Sequence, residues 1–329
     1  MRARALGLAL GYAADRLLGD PARLHPVAGF GTTAAAVERR LYADSRARGL
    51  VHTAVLAGGA VALGAGAQRL AGHPAARVLV TAVATWVVLG GRSLEGEAVA
   101  VGRLLEGDDL VAARQRLTHL VGRDTRRLGP TEISRAVVES VAENTSDAVV
   151  APLVWGAVAG VPGLLGHRAT NTLDAMVGHR NDRYQRYGWA SARLDDLVNL
   201  PASRLTALLA VALGGDPHAA WRAWHRDAAG HPSPNAGVVE ASFAGALGVR
   251  LGGTNTYDGG RIEHRPVTSS GRPAQAADIS RATVLARRVG HGAALAAVAF
   301  ACSTRRAQSS AGRAASTWSH RSSTRAMFQ

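Results

Sequence analysis

Six apolar stretches set the frame in which this chain has to fold. They run over Ala3–Ala14, Thr53–Leu70, Arg77–Gly91, Ala148–Gly166, Ala202–Gly214 and Val289–Cys302. A helix that crosses a bilayer needs about 20 mostly apolar residues. The longer stretches have the length of spans, and the shorter ones suit buried or re-entrant segments. Thr53–Leu70 and Arg77–Gly91 flank a tight connection, "AGHPAA" at Ala71–Ala76, which reads as a hairpin that returns the chain to its starting side. The Arg-rich segments Asp20–Leu50 and Arg92–Asp147 then share a side, and the positive-inside tendency makes that side cytoplasmic. The expected fold is all-α: a multi-pass integral membrane protein with about four to six membrane-embedded helices and large polar loops. "GVPG" at Gly160–Gly163 should break the fourth stretch. A kinked crossing and a dip-and-return both remain open. The choice decides whether Arg168–Asn199 faces the same side as Arg123–Asp147.

Charge and composition narrow the function classes. The net charge of +14 comes entirely from Arg, since the chain has no Lys, and aromatics make up only 5%. No basic stripe and no basic–aromatic platform forms, so nucleic acid is not an expected partner; Arg-rich loops at a lipid bilayer explain the charge. Cys302 is the single cysteine, which excludes an internal disulfide and a Cys-based zinc site. The start, "MRARALGLALGYAADRLLGD", has the basic and apolar parts of a signal peptide but no convincing small-residue cleavage site, so a retained helix is expected. "GGAVALGAG" (Gly58–Gly66) has the glycines of a phosphate loop without a preceding strand, and fits helix packing by small residues. Residues 1–302 therefore read as one membrane domain that contains a polar, Gly- and Pro-rich loop at about 215–282. Residues 303–329 are Ser- and Arg-rich and read as a disordered tail. The tail cuts short an apolar segment, as a reading-frame change near residue 302 would.

The chemistry-bearing residues sit beside the apolar runs. In "RAVVESVAENTSDAVVAPL", Arg135, Glu139, Glu143 and Asp147 recur every four residues, which keeps them on one helix face. Such a strip is either a solvated face or a cation site. Acids abutting a bilayer are costly and usually functional. Further clusters hold Asp15, Asp20 and His25; Asn171, Asp174, Arg180 and Asn181; Arg193, Asp195, Asp196 and Asn199; and Ser233, Asn235, Glu240, Gly252, Gly253 and Tyr257. Carboxylates and Asn amides at helical spacing suit Mg²⁺, a hard cation that shares its oxygen ligands with substrate phosphate. Arg123, Arg135, Arg180 and Arg193 have the chemistry to clamp phosphoryl or carboxylate groups. Gly252 and Gly253 let backbone approach a ligand closely. Plainer readings stand beside these. Asp20 precedes Pro21 as a turn residue would, Ser146 or Asp147 suits an N-cap, and His25, His167 and His179 lack metal-ligand spacing. No Ser–His–Asp order, zinc motif or Walker lysine is present.

"DRLLGDP…HPV", "GRDT", "RAVVESVAENTSDAVVAPL", "NTLDAMVGHRN", "GWASARLDD" and "HPSPNAG…FAGALGVRLGG" occur in that order between Gly11 and Ile279. Together they resemble the CobD or CbiB family of cobalamin biosynthesis, the adenosylcobinamide-phosphate synthases. The sequence beyond Cys302 departs from the family, which continues with apolar helix. The resemblance implies an ATP- and Mg²⁺-dependent amide ligation. A propionate carboxylate of adenosylcobyric acid, the corrinoid substrate, is joined to aminopropanol or aminopropanol phosphate. It also implies a cell-membrane location, with the active site facing the cytoplasm and with other corrinoid-pathway enzymes as partners. On residue chemistry, Glu139, Glu143 and Asp174 are the catalytic candidates and Asp147, Asp195 and Asp196 the metal candidates. Arg123, Arg135, Arg180, Arg193, Asn235, Gly252 and Gly253 are the cofactor-binding candidates. A corrinoid transporter and a non-catalytic membrane scaffold are the competing readings.

Overall fold

The structure is a computed structural model that describes residues 2–20, 25–179, 181–257 and 261–325, with side chains as far as Ser303. The described chain is all-α apart from two small strand pairs. Four helical segments have the length and apolarity to cross a membrane: α3 (Arg46–Leu70), α4 with α5 (Pro74–Val88 and Gly91–Glu106), α10 (Trp189–Leu213), and α13 (Ala276–Arg325) up to Ser303. At about 1.5 Å per residue, each exceeds the roughly 30 Å of a hydrocarbon core. Their outward faces are apolar and uncovered, with Val55, Leu63, Leu79, Val83, Leu295 and Phe300 all exposed. That pattern suits lipid as the surrounding solvent.

The first apolar stretch forms α1 (Arg2–Leu18), which lies along α4. The fourth stretch does not cross as one rod. α7 (Pro130–Thr145) passes into a π-helical turn, Ser146–Val150, then α8 (Ala151–Ala159), and reverses into α9 (Val161–Val177). Pro152 lacks the N–H that would bond the Ala148 carbonyl four residues back. That carbonyl instead accepts from the Gly90 N–H at 3.2 Å. Gly160 makes the reversal at φ +72°, ψ −145°, a conformation closed to residues with a Cβ. Pro162 then suits the first turn of α9. The dip-and-return reading of "GVPG" is the one the backbone adopts.

The stretch from 215 to 282, expected as a polar loop, is more structured than that. It holds α11 (Pro217–Asp227), α12 (Ala236–Leu247), a parallel pair β1 (Val249–Arg250) with β4 (Arg272–Pro273), and an antiparallel hairpin β2 (Gly253–Thr256) with β3 (Ile262–Arg265). Every residue of α12 is buried, because "AGVVEASFAGAL" is too apolar to lie in water. Where composition suggests a disordered tail, the backbone of α13 continues helically through Arg325. The remaining helices, α2 (Pro26–Leu41) and α6 (Leu110–Leu117), pack on α9 and α5.

Gly160→Val should destabilise the protein by about 1–3 kcal/mol, the usual cost of forcing a sparsely populated backbone conformation. Thermal unfolding in detergent would show it as a lowered midpoint. An unchanged midpoint would mean the reversal at Gly160 is not as described.

Candidate functional site

A cavity of ≈ 620 Å³ opens where α7, the π turn, α9, α10, the start of α12 and the β2–β3 hairpin meet. Its walls carry Glu143, Asp147, Asp174, Asp195 and Asp196 as carboxylates, and Arg123, Arg261 and Arg265 as guanidiniums. Residues from Gly122–Asp147 and from Asp174–Asn199 thus share one chamber, which the hairpin at Gly160 makes possible. Asp147 rides on the π turn; such single turns are frequent at functional sites.

The electrostatics follow from burial. Desolvation raises the Glu143 pKa, against the pull of Arg265 and Arg123. Asp147 is raised well above the ordinary range, first by burial and then by Asp195, Glu143 and Asp174. Burial also lifts Asp174, to about 6, with Asp196 and Glu143 adding to the shift and His179 opposing it. Asp147 and Asp174 are thus held up in part by neighbouring acids, so a cation entering the chamber would find several carboxyls within reach.

Glu139 sits behind the wall. Its Oε2 accepts from Arg123 Nη2 at 2.7 Å and its Oε1 from the Gly252 N–H at 2.8 Å, and it is 1% exposed. Arg123 Nη1 in turn donates to Asn255 Oδ1 at 2.7 Å. Arg135 lies 4.0 Å from Glu139, as the spacing of four implies, and donates to the Gly252 carbonyl and, at 3.2 Å, to the Thr254 carbonyl. This network ties α7 to β2. Gly252 and Gly253 adopt φ +89° and +109°. A Cβ on Gly252 would collide with the Pro266 carbonyl, and one on Gly253 with Arg135. Their glycine identity therefore follows from close approach to protein. Glu139, Arg135, Gly252 and Gly253 shape the wall, while Arg123 reaches the cavity.

Asn235 lines the cavity and clamps α12 to α10. Its Oδ1 accepts from Ser203 Oγ and Arg204 Nη1, each at 2.8 Å, and its Nδ2 donates to the Asp196 carbonyl at 2.8 Å. Arg193 points outward with its side chain 64% exposed, 3.8 Å from Asp196 Oδ2. It is not among the cavity-lining residues. Arg180 lies outside the described residues. Sequence reasoning missed Arg265, Glu263 and Arg261. Arg265 donates to Glu263 Oε1 at 2.8 Å and Glu240 Oε1 at 3.3 Å. Burial raises Glu240 well above its ordinary range, and Glu139 adds to the shift while Arg265 opposes it. The "RIEHR" pattern of alternating charge was the available signal.

Among the described residues no three Asp, Glu, His or Cys side chains converge as a metal cage. Mg²⁺ usually needs one or two carboxylates plus substrate phosphate oxygens. Asp195 presents a buried Oδ1 with no hydrogen-bond partner among the described residues, and Asp147 lies close enough to Asp195 to be raised by it. These residues fit a cation brought in with a phosphate ligand.

Residues 8–286 match the family model for "CobD/Cbib protein". The cobalamin biosynthesis protein CobD of Mycobacterium tuberculosis is 52% identical over 299 residues, 90% of this chain and 95% of that protein. The CobD proteins of Geobacter metallireducens and Chromobacterium violaceum are 47% and 44% identical, over 74% and 86% of this chain and 80% and 92% of their own lengths. No solved structure matches the chain.

Glu139→Ala should destabilise the fold by about 3–5 kcal/mol, because it strands a buried guanidinium. Denaturant unfolding in detergent would measure this. A variant with unchanged stability would return Glu139 to a purely chemical role.

Proposed function

The chain belongs to the CobD/Cbib family, whose place is in cobalamin biosynthesis; on that premise we propose that it is the ATP-dependent ligase that forms adenosylcobinamide or its phosphate. A propionate carboxylate of adenosylcobyric acid is coupled to aminopropanol or its O-phosphate. The observation that carries the proposal is the single cavity whose wall gathers acids from α7, the π turn, α9, α10 and β3 together with Arg123, Arg261 and Arg265.

A carboxylate is a poor electrophile, so amide formation needs it activated. Bound ATP would supply the phosphoryl group, leaving as ADP, and Mg²⁺ would neutralise the phosphate charge; the amine would then attack the acyl carbon of the resulting acyl phosphate with inorganic phosphate as the leaving group. Each residue then has a task. Arg123 and Arg265 offset the anionic charge of phosphate and propionate oxygens. Asp147 and Asp195, with Asp196 beside them, hold the cation. Glu143 in its carboxylate form, made more basic by burial, takes a proton from the ammonium and so frees the amine to attack the acyl carbon. Asp174 faces the same chamber and orients the ammonium. The Arg-rich loops, by the positive-inside tendency, support a chamber that faces the cytoplasm, where ATP is available. A transporter would string its polar groups along a path through the spans; here they gather in one chamber.

Purified protein given adenosylcobyric acid, aminopropanol phosphate, ATP and Mg²⁺ should yield the amide and one ADP per bond, measured by mass spectrometry and phosphate release. Asp147→Asn and Asp195→Asn should each lower turnover by about 100-fold or more, the usual cost of losing one preorganised electrostatic group. Product without ATP consumption, or corrinoid uptake into proteoliposomes without turnover, would overturn the ligase reading.

A further inference from the structure

A buried chain of hydrogen bonds runs from the acidic cavity to a second, apolar one. Asp195 Oδ2 accepts from Asn199 Nδ2 at 2.9 Å, one helical turn further along α10. The Asn199 Oδ1 lies 2.8 Å from His167 Nε2 on α9. His167 and Asn199 are 3% and 1% exposed. His167 does not line the acidic chamber. It lies on an apolar groove of ≈ 380 Å³, with Val61, Trp155, Leu194 and Val198 among its neighbours.

The direction of the chain follows from donor and acceptor chemistry. A carboxylate that holds a cation is ionised and only accepts, so in that state Asn199 turns its NH₂ toward Asp195 and its oxygen toward His167, the orientation seen here. That oxygen needs a donor, so the His167 proton sits on Nε2. Burial disfavours the imidazolium, which leaves Nδ1 bare. Consistently, Nδ1 is buried and has no hydrogen-bond partner among the described residues. With the amide the other way round, two oxygens would face each other and Asp195 would lose a donor. The Asn171 amide also interacts with this carboxyl, and among the described residues no hydrogen bond of normal geometry reaches Asp195 Oδ1.

We propose that His167 is a positioning residue for the cation site: through Asn199 it fixes one oxygen of Asp195 and leaves the other directed to a phosphate-borne divalent cation. This rests on the proposed cation role of Asp195. His167 never touches substrate; it acts by holding an amide in one of two orientations. The same logic explains why a histidine without metal-ligand spacing is buried here.

The test is Mn²⁺ binding by the full chain in detergent, followed by electron paramagnetic resonance with a non-hydrolysable ATP analogue present. His167→Leu keeps volume but removes the donor, and should weaken Mn²⁺ binding about tenfold, in line with the loss of an outer-sphere partner. His167→Gln places an amide N–H near the former Nε2 and should stay within about twofold of the wild type. Should His167→Leu not fold, His167→Asn, whose amide is too short to reach Asn199, takes its place with the same expected loss. Equal binding by wild type and His167→Leu (or Asn) overturns the positioning role and leaves the cation reading intact. So does a His167→Gln as weak as His167→Leu, which would indicate packing alone. A wild type that holds no Mn²⁺ overturns the cation reading, and this inference with it.

Discussion

The chain's reversal at Gly160 is the constraint on which the rest depends. A straight crossing from Asp147 to Gly166 would carry Asp174 and Asp195 away from Glu143 by the thickness of a bilayer. Instead α8 ends at a glycine that only a residue without Cβ can replace, and α9 folds back beside it. Pro152 and the π turn before it adjust the approach, and the carbonyl that Pro152 leaves free is taken by Gly90. Two local breaks in helical regularity therefore bring together acids that are far apart in sequence.

Gathering them is costly. Each carboxylate removed from water loses several kcal/mol of solvation unless it is paired or neutralised. The fold handles its acids in two ways. Glu139 is fully matched, by Arg123 and the Gly252 N–H, and serves as a rivet between α7 and β2. Burial raises the pKa values of Glu143, Asp147 and Asp174 in the chamber, and nearby cationic side chains only partly offset it. A chamber that gathers several buried acids stands to gain when a cation or ammonium enters it.

Much of this was legible in the sequence. The apolar blocks marked α3, α4, α10 and α13, and the ordered motifs identified the family. Arg123, Glu143, Asp147, Asp174, Asp195, Asp196 and Asn235 all reach the cavity wall. What sequence could not do was separate Glu139 from Glu143. Both belong to one strip on α7, and the difference lies in which long-range partner each meets. Arg193 looked equivalent to Arg123, yet helix phase turns it outward. Arg265 was invisible because its partner Glu240 is on another element, brought near by the β2–β3 hairpin. Gly252 and Gly253 were read as ligand contacts, while their backbone angles and neighbours show crowding by protein.

The most direct measurement asks from which side the two halves of the chamber are reached. Gly122, in the segment before α7, and Ala192, on α10, both line it and carry no proposed chemistry. Single cysteines at Gly122→Cys and Ala192→Cys, in a Cys302→Ser background, can be labelled with a membrane-impermeant maleimide in vesicles of known orientation. Both should react only in inside-out vesicles. Labelling from opposite sides would place the α7 acids and the α9–α10 acids in separate compartments, and a shared cavity would be impossible.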